Sequence, residues 1–301
     1  MESDVAGGDG NRIRERLQKS NLAPFLAVLG PGIIVSMVDN DAGGIATYSV
    51  AGARYGYAIL WVMIPTAVLL YMVQEMNARM GIVTGKGLAA LIRERFSVRL
   101  TALIMVAMLV ANFANTVAEF AGVAASSQIF GISYYVAVPL VAAAIWWLVL
   151  KGSYKVVEKV FLLVSLVYVA YVISAFMARP DWAEVGKGFL VPSGGLNASF
   201  IVMVVTIVGT TIAPWMQFYQ QAAVVDKGLD LKDLRYERID TGIGMVFLFV
   251  SAAAIMIACA AAFFNNPSVG ATHINSAEQA AMGLAPDRLS SSDTLFVLLP
   301  L

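Results

Sequence analysis

The residues of this chain best able to do chemistry lie where its apolar sequence breaks. Asp39-Asn40-Asp41-Ala42-Gly43-Gly44 interrupts an apolar run that starts near Pro24 and resumes from Ile45 to Ala53. Gly209-Thr210-Thr211-Ile212-Ala213-Pro214-Trp215 interrupts a second run, from Phe200 to about Val225. A helix broken inside a membrane exposes backbone N–H and C=O groups that lipid cannot satisfy. Such a break persists only where it lines a protein cavity, and a pair of breaks points to a substrate site between them. Two carboxylates in the first break make a cation the expected substrate.

The elements around the breaks must be membrane spans. The chain is 59% hydrophobic and only 13% charged, and its mean hydropathy is +0.76. Soluble domains carry roughly 25% charged residues. The formal net charge of zero gives no case for nucleic acid, and nothing in the pattern suggests an enzyme. Cys259 is the single cysteine and lies in an apolar run, so no disulfide or zinc framework can form. His273 is the single histidine, in a polar loop, without a partner for a histidine metal site.

Since roughly 20 apolar residues cross a bilayer, spans are expected at about 24–51, 57–77, 101–123, 132–150, 157–178, 199–224 and 241–264, with an eighth beginning at Thr294. Residues 1–20 read as a polar arm without a cleavable signal, and 21–301 as one transmembrane domain. Sixteen of the 20 Lys and Arg residues fall in the arm and in alternate loops, which places the N-terminus in the cytoplasm. The breaks then fall in spans one and six, which run in opposite directions. That is the arrangement of two inverted repeats, the first at about 24–178 and the second, partial, at about 199–301. The expected fold is all-α and polytopic, with unwound residues at Asp41–Gly43 and within Thr210–Ala213.

Several residues admit a plainer reading. Asp39 and Asp41 could form a helix-capping pair. Glu119, inside span three, could bond a neighbouring helix. Gln217 and Gln220 could join helices as readily as contact a substrate. Gly209 alone could mark helix packing, and Pro214 alone a kink. The methionines and Trp215 read as packing or lipid-facing groups.

Together these motifs resemble a known family. Gly30-Pro31-Gly32, Ser36, Asp41-Ala42-Gly43-Gly44-Ile45-Ala46-Thr47 and Ala51-Gly52-Ala53-Arg54-Tyr55-Gly56-Tyr57 look like the first span and following loop of the NRAMP divalent-metal transporters. The likeness continues through Ala118-Glu119-Phe120, Glu158-Lys159-Val160 and Gly209 to Pro214. It implies the LeuT-type inverted-repeat fold of ten core spans, so the chain reads as truncated after the start of its second repeat. It also implies a transported divalent ion, with no cofactor, in a cell membrane.

The departures from the family pattern are as informative. The usual first-span signature is Asp-Pro-Gly-Asn; here Asp41 is kept, Ala42 stands for Pro and Gly44 for Asn. The usual sixth-span Met-Pro-His becomes Ala213-Pro214-Trp215, and a second family histidine falls on Gln220. The family's span-three Asp falls on Thr116, while Glu119 is kept. A thioether favours transition metals, so Ala213 removes that preference, and with Gly44 it should leave room for the waters magnesium keeps. The ligands expected from the resemblance are the Asp41 carboxylate and backbone carbonyls near Gly44, Thr210 and Ala213. Asp39, Asn40, Glu119, Thr211 and Gln217 would support them. The pattern looks like the NRAMP-related magnesium transporter branch, passing Mg2+ and Mn2+.

Proton relays in membranes use Asp, Glu and His, and three of the family's titratable positions are replaced here. Uptake without proton coupling is the resulting expectation. A proton-coupled Mn2+ or Fe2+ transporter is the alternative, as is a LeuT-type carrier of amino acids or other organic solutes. A non-transporting remnant is a third possibility.

Overall fold

A computed structural model of the chain describes residues 30–151, 168–195 and 197–264. The polar arm, His273, the first part of span five and the eighth span lie outside the described residues. The helices are α1 (Pro31–Val38), α2 (Ala42–Tyr55), α3 (Met63–Thr84), α4 (Leu88–Arg95), α5 (Val98–Ile129), α6 (Tyr134–Lys151), α7 (Tyr168–Met177), α8 (Trp182–Leu190), α9 (Ala198–Thr211), α10 (Pro214–Asp226) and α11 (Leu234–Cys259). A 3-10 segment, Gly56–Val62, joins α2 to α3, and α11 ends in a π turn, Ala260–Phe264. Among the described residues, five helical stretches are long and apolar enough to cross a membrane.

Local sequence explains where the helices start and stop. Pro31 and Pro214 sit at first helical positions, where a missing N–H costs nothing. Ser97 and Asn197 cap α5 and α9 by accepting from Leu100 N–H and Phe200 N–H. Gly56, at φ 58°, ends α2 in a left-handed conformation that suits glycine.

Several helices extend beyond the expected spans, α3 to Thr84 and α11 back to Leu234. The extensions carry charge that pairs: Arg238 on α11 donates to Glu75 on α3 at 2.7 Å, and Arg79 lies 3.5 Å from the same carboxylate. Helices α4 and α8 were not expected from hydropathy. Asp181 caps α8 by accepting from Ala183 N–H and Glu184 N–H, so that short helix has a local cause.

The core forms where α11 packs against α1, α2, α3 and α7. Tyr48, Ile59, Leu60, Met63, Met256 and Phe263 are fully or almost fully buried there. Much of α5 and α6 instead exposes large apolar side chains, such as Leu109, Phe113, Trp146 and Trp147. That pattern is normal for surfaces that face hydrocarbon rather than water.

The α1–α11 crossing is unusually close. A β-carbon on Gly244 would lie 2.6 Å from the Gly32 carbonyl oxygen and 2.6 Å from Ser36 Oγ. One on Gly32 would lie 2.6 Å from the Thr241 α-carbon. Small residues permit this approach between backbones. Gly244→Ala is therefore expected to destabilise the purified protein by about 1–3 kcal/mol, the usual cost of overpacking. Gly186→Ala, where nothing lies within 4 Å, is the control. Thermal unfolding in detergent reads both, and equal melting temperatures would show that the crossing relaxes freely.

Candidate metal site

Both expected breaks are present. Between α1 and α2 the non-helical residues are Asp39, Asn40 and Asp41; between α9 and α10 they are Ile212 and Ala213. The unwinding is as long as the expected Asp41–Gly43 but lies two residues earlier, because Ala42 and Gly43 already belong to α2. Asp41 caps that helix: its backbone is extended, and Oδ1 accepts from Gly44 N–H at 2.7 Å. A capping carboxylate satisfies an orphan N–H and meets the positive end of the helix dipole. For Asp41, then, capping and lining the break are one role.

The second carboxylate at this point is Glu119, on α5. Its Oε2 accepts from Ala42 N–H at 3.2 Å. Asn115, one turn earlier on the same face of α5, directs Nδ2 toward Asp41 Oδ2 at 3.5 Å, long for a hydrogen bond. Thr116 is exposed and donates back to the Asn112 carbonyl, so it takes no part. Asn115 was missed in the sequence, although its spacing of four from Glu119 was legible.

Asp39 and Asn40 are buried, 2% and 1% exposed. Asp39 Oδ2 and both side-chain polar atoms of Asn40 have no hydrogen-bond partner. The Asn40 carbonyl accepts from the Tyr168 hydroxyl at 3.0 Å. Tyr168 lies in an apolar run, and nothing in the sequence marked it.

Gly44 has a different role from the one expected. Its carbonyl belongs to the first turn of α2, where N–H groups rather than carbonyls are left over. Its missing side chain also opens no space for water. A β-carbon there would lie 2.9 Å from the Asp39 carbonyl oxygen, 3.3 Å from Asp41 Oδ1 and 3.5 Å from the Tyr48 ring. Glycine at 44 lets the chain fold tightly around the cap.

On the second break, Thr210 lies in the last turn of α9, where carbonyls are left over. The residue four positions on is Pro214, which has no N–H to meet the Thr210 carbonyl. Thr211 Oγ1 donates to the Ile207 carbonyl at 2.8 Å and pairs with the buried Tyr48 hydroxyl at 2.8 Å. That pair ties α2 to the end of α9. Ala213 caps α10 with extended backbone and no side-chain bond. Its methyl packs, with Ile212 and Trp215, against Val35, Leu70, Met216 and Leu248. Val35 of α1 and Tyr48 of α2 thus bring the second break up against the first.

Gln217 points elsewhere. Its Oε1 accepts from Asn77 Nδ2 of α3, so it joins α10 to α3. Gln220 donates to Thr241 Oγ1 at 3.2 Å. The arrangement at the breaks therefore presents oxygen: two carboxylates and a buried amide on the first, and on the second a carbonyl that lacks its helical N–H partner. A cluster of three or more His, Cys, Asp or Glu residues able to hold a metal is absent among the described residues, so backbone oxygens would have to complete any coordination.

Two interrupted helices packed together in an all-helical membrane bundle define the LeuT-type class of transporter fold. A family model described as "Natural resistance-associated macrophage protein-like", or Nramp, matches residues 32–298. The chain belongs to the Nramp family. It is 29% identical over 279 residues to the divalent metal cation transporter MntH of Yersinia pestis (strain Pestoides F), covering 91% of this chain and 67% of that protein. The MntH of Yersinia pseudotuberculosis serotype O:3 matches to the same extent. The structure is similar to that of the Eremococcus coleocola manganese transporter in complex with an aromatic bis-isothiourea compound, with a TM-score of 0.72 and 24% identity. That match covers 92% of this chain and 61% of the other, so the chain spans less than two thirds of that transporter.

The Ala42 contact sets a test. Glu119→Ala leaves that N–H without its acceptor, which costs about 1–3 kcal/mol for a buried group. Glu119→Gln keeps an acceptor oxygen and should cost less. Melting temperatures of the two variants should rank Gln above Ala; the reverse order would mean that Glu119 does not anchor the start of α2.

Proposed function

We propose that this chain carries the first part of a divalent-cation transport pathway, with the ion held between the two helix breaks. The observation that carries the reading is the Asp41 carboxylate, seated at the start of α2 beside buried, unpartnered Asp39 and Asn40 atoms. The Thr210 carbonyl, deprived of its N–H partner by Pro214, belongs to the facing break. A carboxylate, amide and carbonyl oxygens suit a hard cation. Asp41 and Thr210 are the proposed direct ligands, with Asp39 and Asn40 beside them. Glu119 and Asn115 hold Asp41 and α2 in place. Transport would proceed by alternating access around the breaks, in a plasma membrane, with the N-terminus in the cytoplasm.

The favoured cargo is Mg2+, with Mn2+ also passed. The support is chemical: position 213 offers a methyl group where a sulfur ligand would favour softer ions. Uptake without protons is the matching proposal. Trp215 packs in an apolar cluster, Gln220 bonds Thr241 and Thr116 faces away from the break. A divalent ion moving down the membrane potential gains about 4.6 kcal/mol per 100 mV, twice the single-charge figure, so no second gradient is required. Proton-coupled Mn2+ transport is the second reading. It is favoured by the manganese named for the structural relative and by Glu119, a titratable group beside Asp41.

One experiment separates them. Proteoliposomes carrying the intact protein, loaded with a metal dye and a pH dye, are given an imposed potential. Potential-dependent Mg2+ or Mn2+ uptake without acidification is expected, and it should vanish in Asp41→Ala, because a bare dication at membrane depth is costly. Acidification that scales with uptake would establish the proton-coupled reading instead. Retained transport in Asp41→Ala would remove Asp41 from the site.

Selectivity gives a second check. Ala213→Met should move the Mn2+-to-Mg2+ uptake ratio upward by up to roughly tenfold, or about 1.4 kcal/mol. An unchanged ratio would sink the argument from ligand softness. Gly44→Asn is a poor companion substitution, since its β-carbon would collide with the Asp39 carbonyl.

A further inference from the structure

We propose that Tyr168 is a positioning residue for the cation site, its hydroxyl fixing the peptide that leads into Asp41. The inference rests on the reading that the ion is held at the helix breaks. Tyr168 stands on α7, half-buried, and its hydroxyl donates to the Asn40 carbonyl at 3.0 Å. That carbonyl belongs to the peptide unit joining Asn40 to Asp41, and a peptide unit is planar and stiff. Holding its oxygen orients the whole unit, and with it the α-carbon from which the Asp41 carboxylate projects. The other bonds at Asp41 act on the carboxylate itself. Oδ1 accepts from Gly44 N–H at 2.7 Å, and Asn115 Nδ2 approaches Oδ2 at 3.5 Å. Tyr168 acts on the backbone beneath it, from 128 positions away in the sequence.

The ring that carries this hydroxyl is itself held. Phe247 of α11 meets it edge-on, with ring centroids 6.2 Å apart and planes at 73°. Tyr171, one turn along α7, lies 6.1 Å away and nearly parallel. Aromatic pairs at such separations are favourable and directional. Helix α11 is also the element against which α1, α2, α3 and α7 pack, so Phe247 ties the hydroxyl to the core of the bundle.

The hydroxyl's choice of partner matters as well. The Asp39, Asp41 and Glu119 carboxylates lie within electrostatic range of Tyr168, yet the hydroxyl bonds a neutral carbonyl. A phenol has one proton to give. Given to Asn40, that proton does not compete with a cation for the Asp41 carboxylate, and the phenolic oxygen can only accept from a further neighbour. A plainer role would be to meet an orphan carbonyl of a broken helix. Both roles entail some loss of stability when the hydroxyl is removed. Positioning alone entails a loss of affinity for the ion.

The test uses the intact protein in nanodiscs, with Mg2+ and Mn2+ titrated separately by calorimetry. Tyr168→Phe keeps the ring and removes only the hydroxyl. It should weaken ion binding by about fivefold, the factor that corresponds to one ordinary hydrogen bond. In proteoliposomes the KM for uptake should rise by the same factor while the maximal rate is retained. Phe247→Leu keeps the hydroxyl but loosens the ring, and should weaken binding in the same direction by less, which covers the case in which Tyr168→Phe does not fold. A melting temperature lowered without metal, with affinity and KM unchanged in both variants, overturns the proposal in favour of the plainer role. Asp41→Asn separates this failure from failure of the site. Binding lost in Asp41→Asn but unchanged in the Tyr168 and Phe247 variants overturns the role of Tyr168 and leaves the site standing. Full binding in Asp41→Asn overturns both, whatever the Tyr168 variant does, since the route through Asp41 is then gone.

Discussion

Everything in this structure follows from the need to satisfy backbone groups that two broken helices release inside an apolar environment. An intact helix hides its amides; a break exposes orphan N–H groups on one side and orphan carbonyls on the other. At the first break the N–H side is met with carboxylates. Asp41 takes Gly44 N–H and Glu119 takes Ala42 N–H. The carbonyl side is met only in part, with Tyr168 donating to Asn40. At the second break Pro214 supplies no donor for the carbonyl behind it. The N–H groups of Ala42 and Gly44 are met while carboxylate and amide oxygens remain unpartnered, and a surplus of acceptors is what attracts a cation. The charge preference of the site is thus built into the way each break is closed.

The same logic governs the other end of α1. That helix has eight residues, too few to be stable alone. It is held by packing on α11 and by Asp240, whose two oxygens accept the N–H groups of Gly30 and Gly32. A carboxylate at a helix start is favourable electrostatically as well as by hydrogen bonding. The glycines at 32 and 244 let the two backbones come close enough for this clamp to form. Val35 adds contacts with Leu70, Met216 and Leu248, while α2 is tied through Tyr48 to Thr211 and by its burial against α11. Both halves of the first interrupted helix are buried, and each is held by a different set of contacts.

The breaks were legible in the sequence because Gly, Pro and Asp inside an apolar run have a local meaning. The spans were legible for the same reason, as was the family likeness. The partners were not. Asn115, Tyr168 and Asp240 reach the first interrupted helix from α5, α7 and α11, and no period or motif announces contacts between residues 74, 128 and 208 to 210 positions apart. Gly44 was misread for a related reason. A small residue can leave space or fill a close approach, and only the position of the Asp39 carbonyl decides which. The ends of α3 and α11 run past the apolar segments, where Arg238 meets Glu75 across the bundle and Arg79 meets the same carboxylate from one turn along α3, pairings that hydropathy ignores. Helix α8 could have been found, since Asp181 precedes a run with the spacing of a capped amphipathic helix.

The capping role of Asp41 has a further consequence for selectivity. One of its oxygens is held at 2.7 Å by Gly44 N–H, so a cation at the break meets mainly the other. The proposed pair of ligands, one Asp41 carboxylate oxygen and the neutral Thr210 carbonyl, would give a weak field compared with a cage of carboxylates. Such a field cannot strip all the water from a strongly hydrated ion. It can orient a partly hydrated one, with the remaining waters donating to orphan acceptors such as Asp39 Oδ2 and Asn40 Oδ1. Binding that depends on retained water is loose enough to release the ion again, which a transported substrate requires and a structural metal does not. In the proposed site the unpartnered atoms around Asp41 would be reached by the ion through water rather than directly.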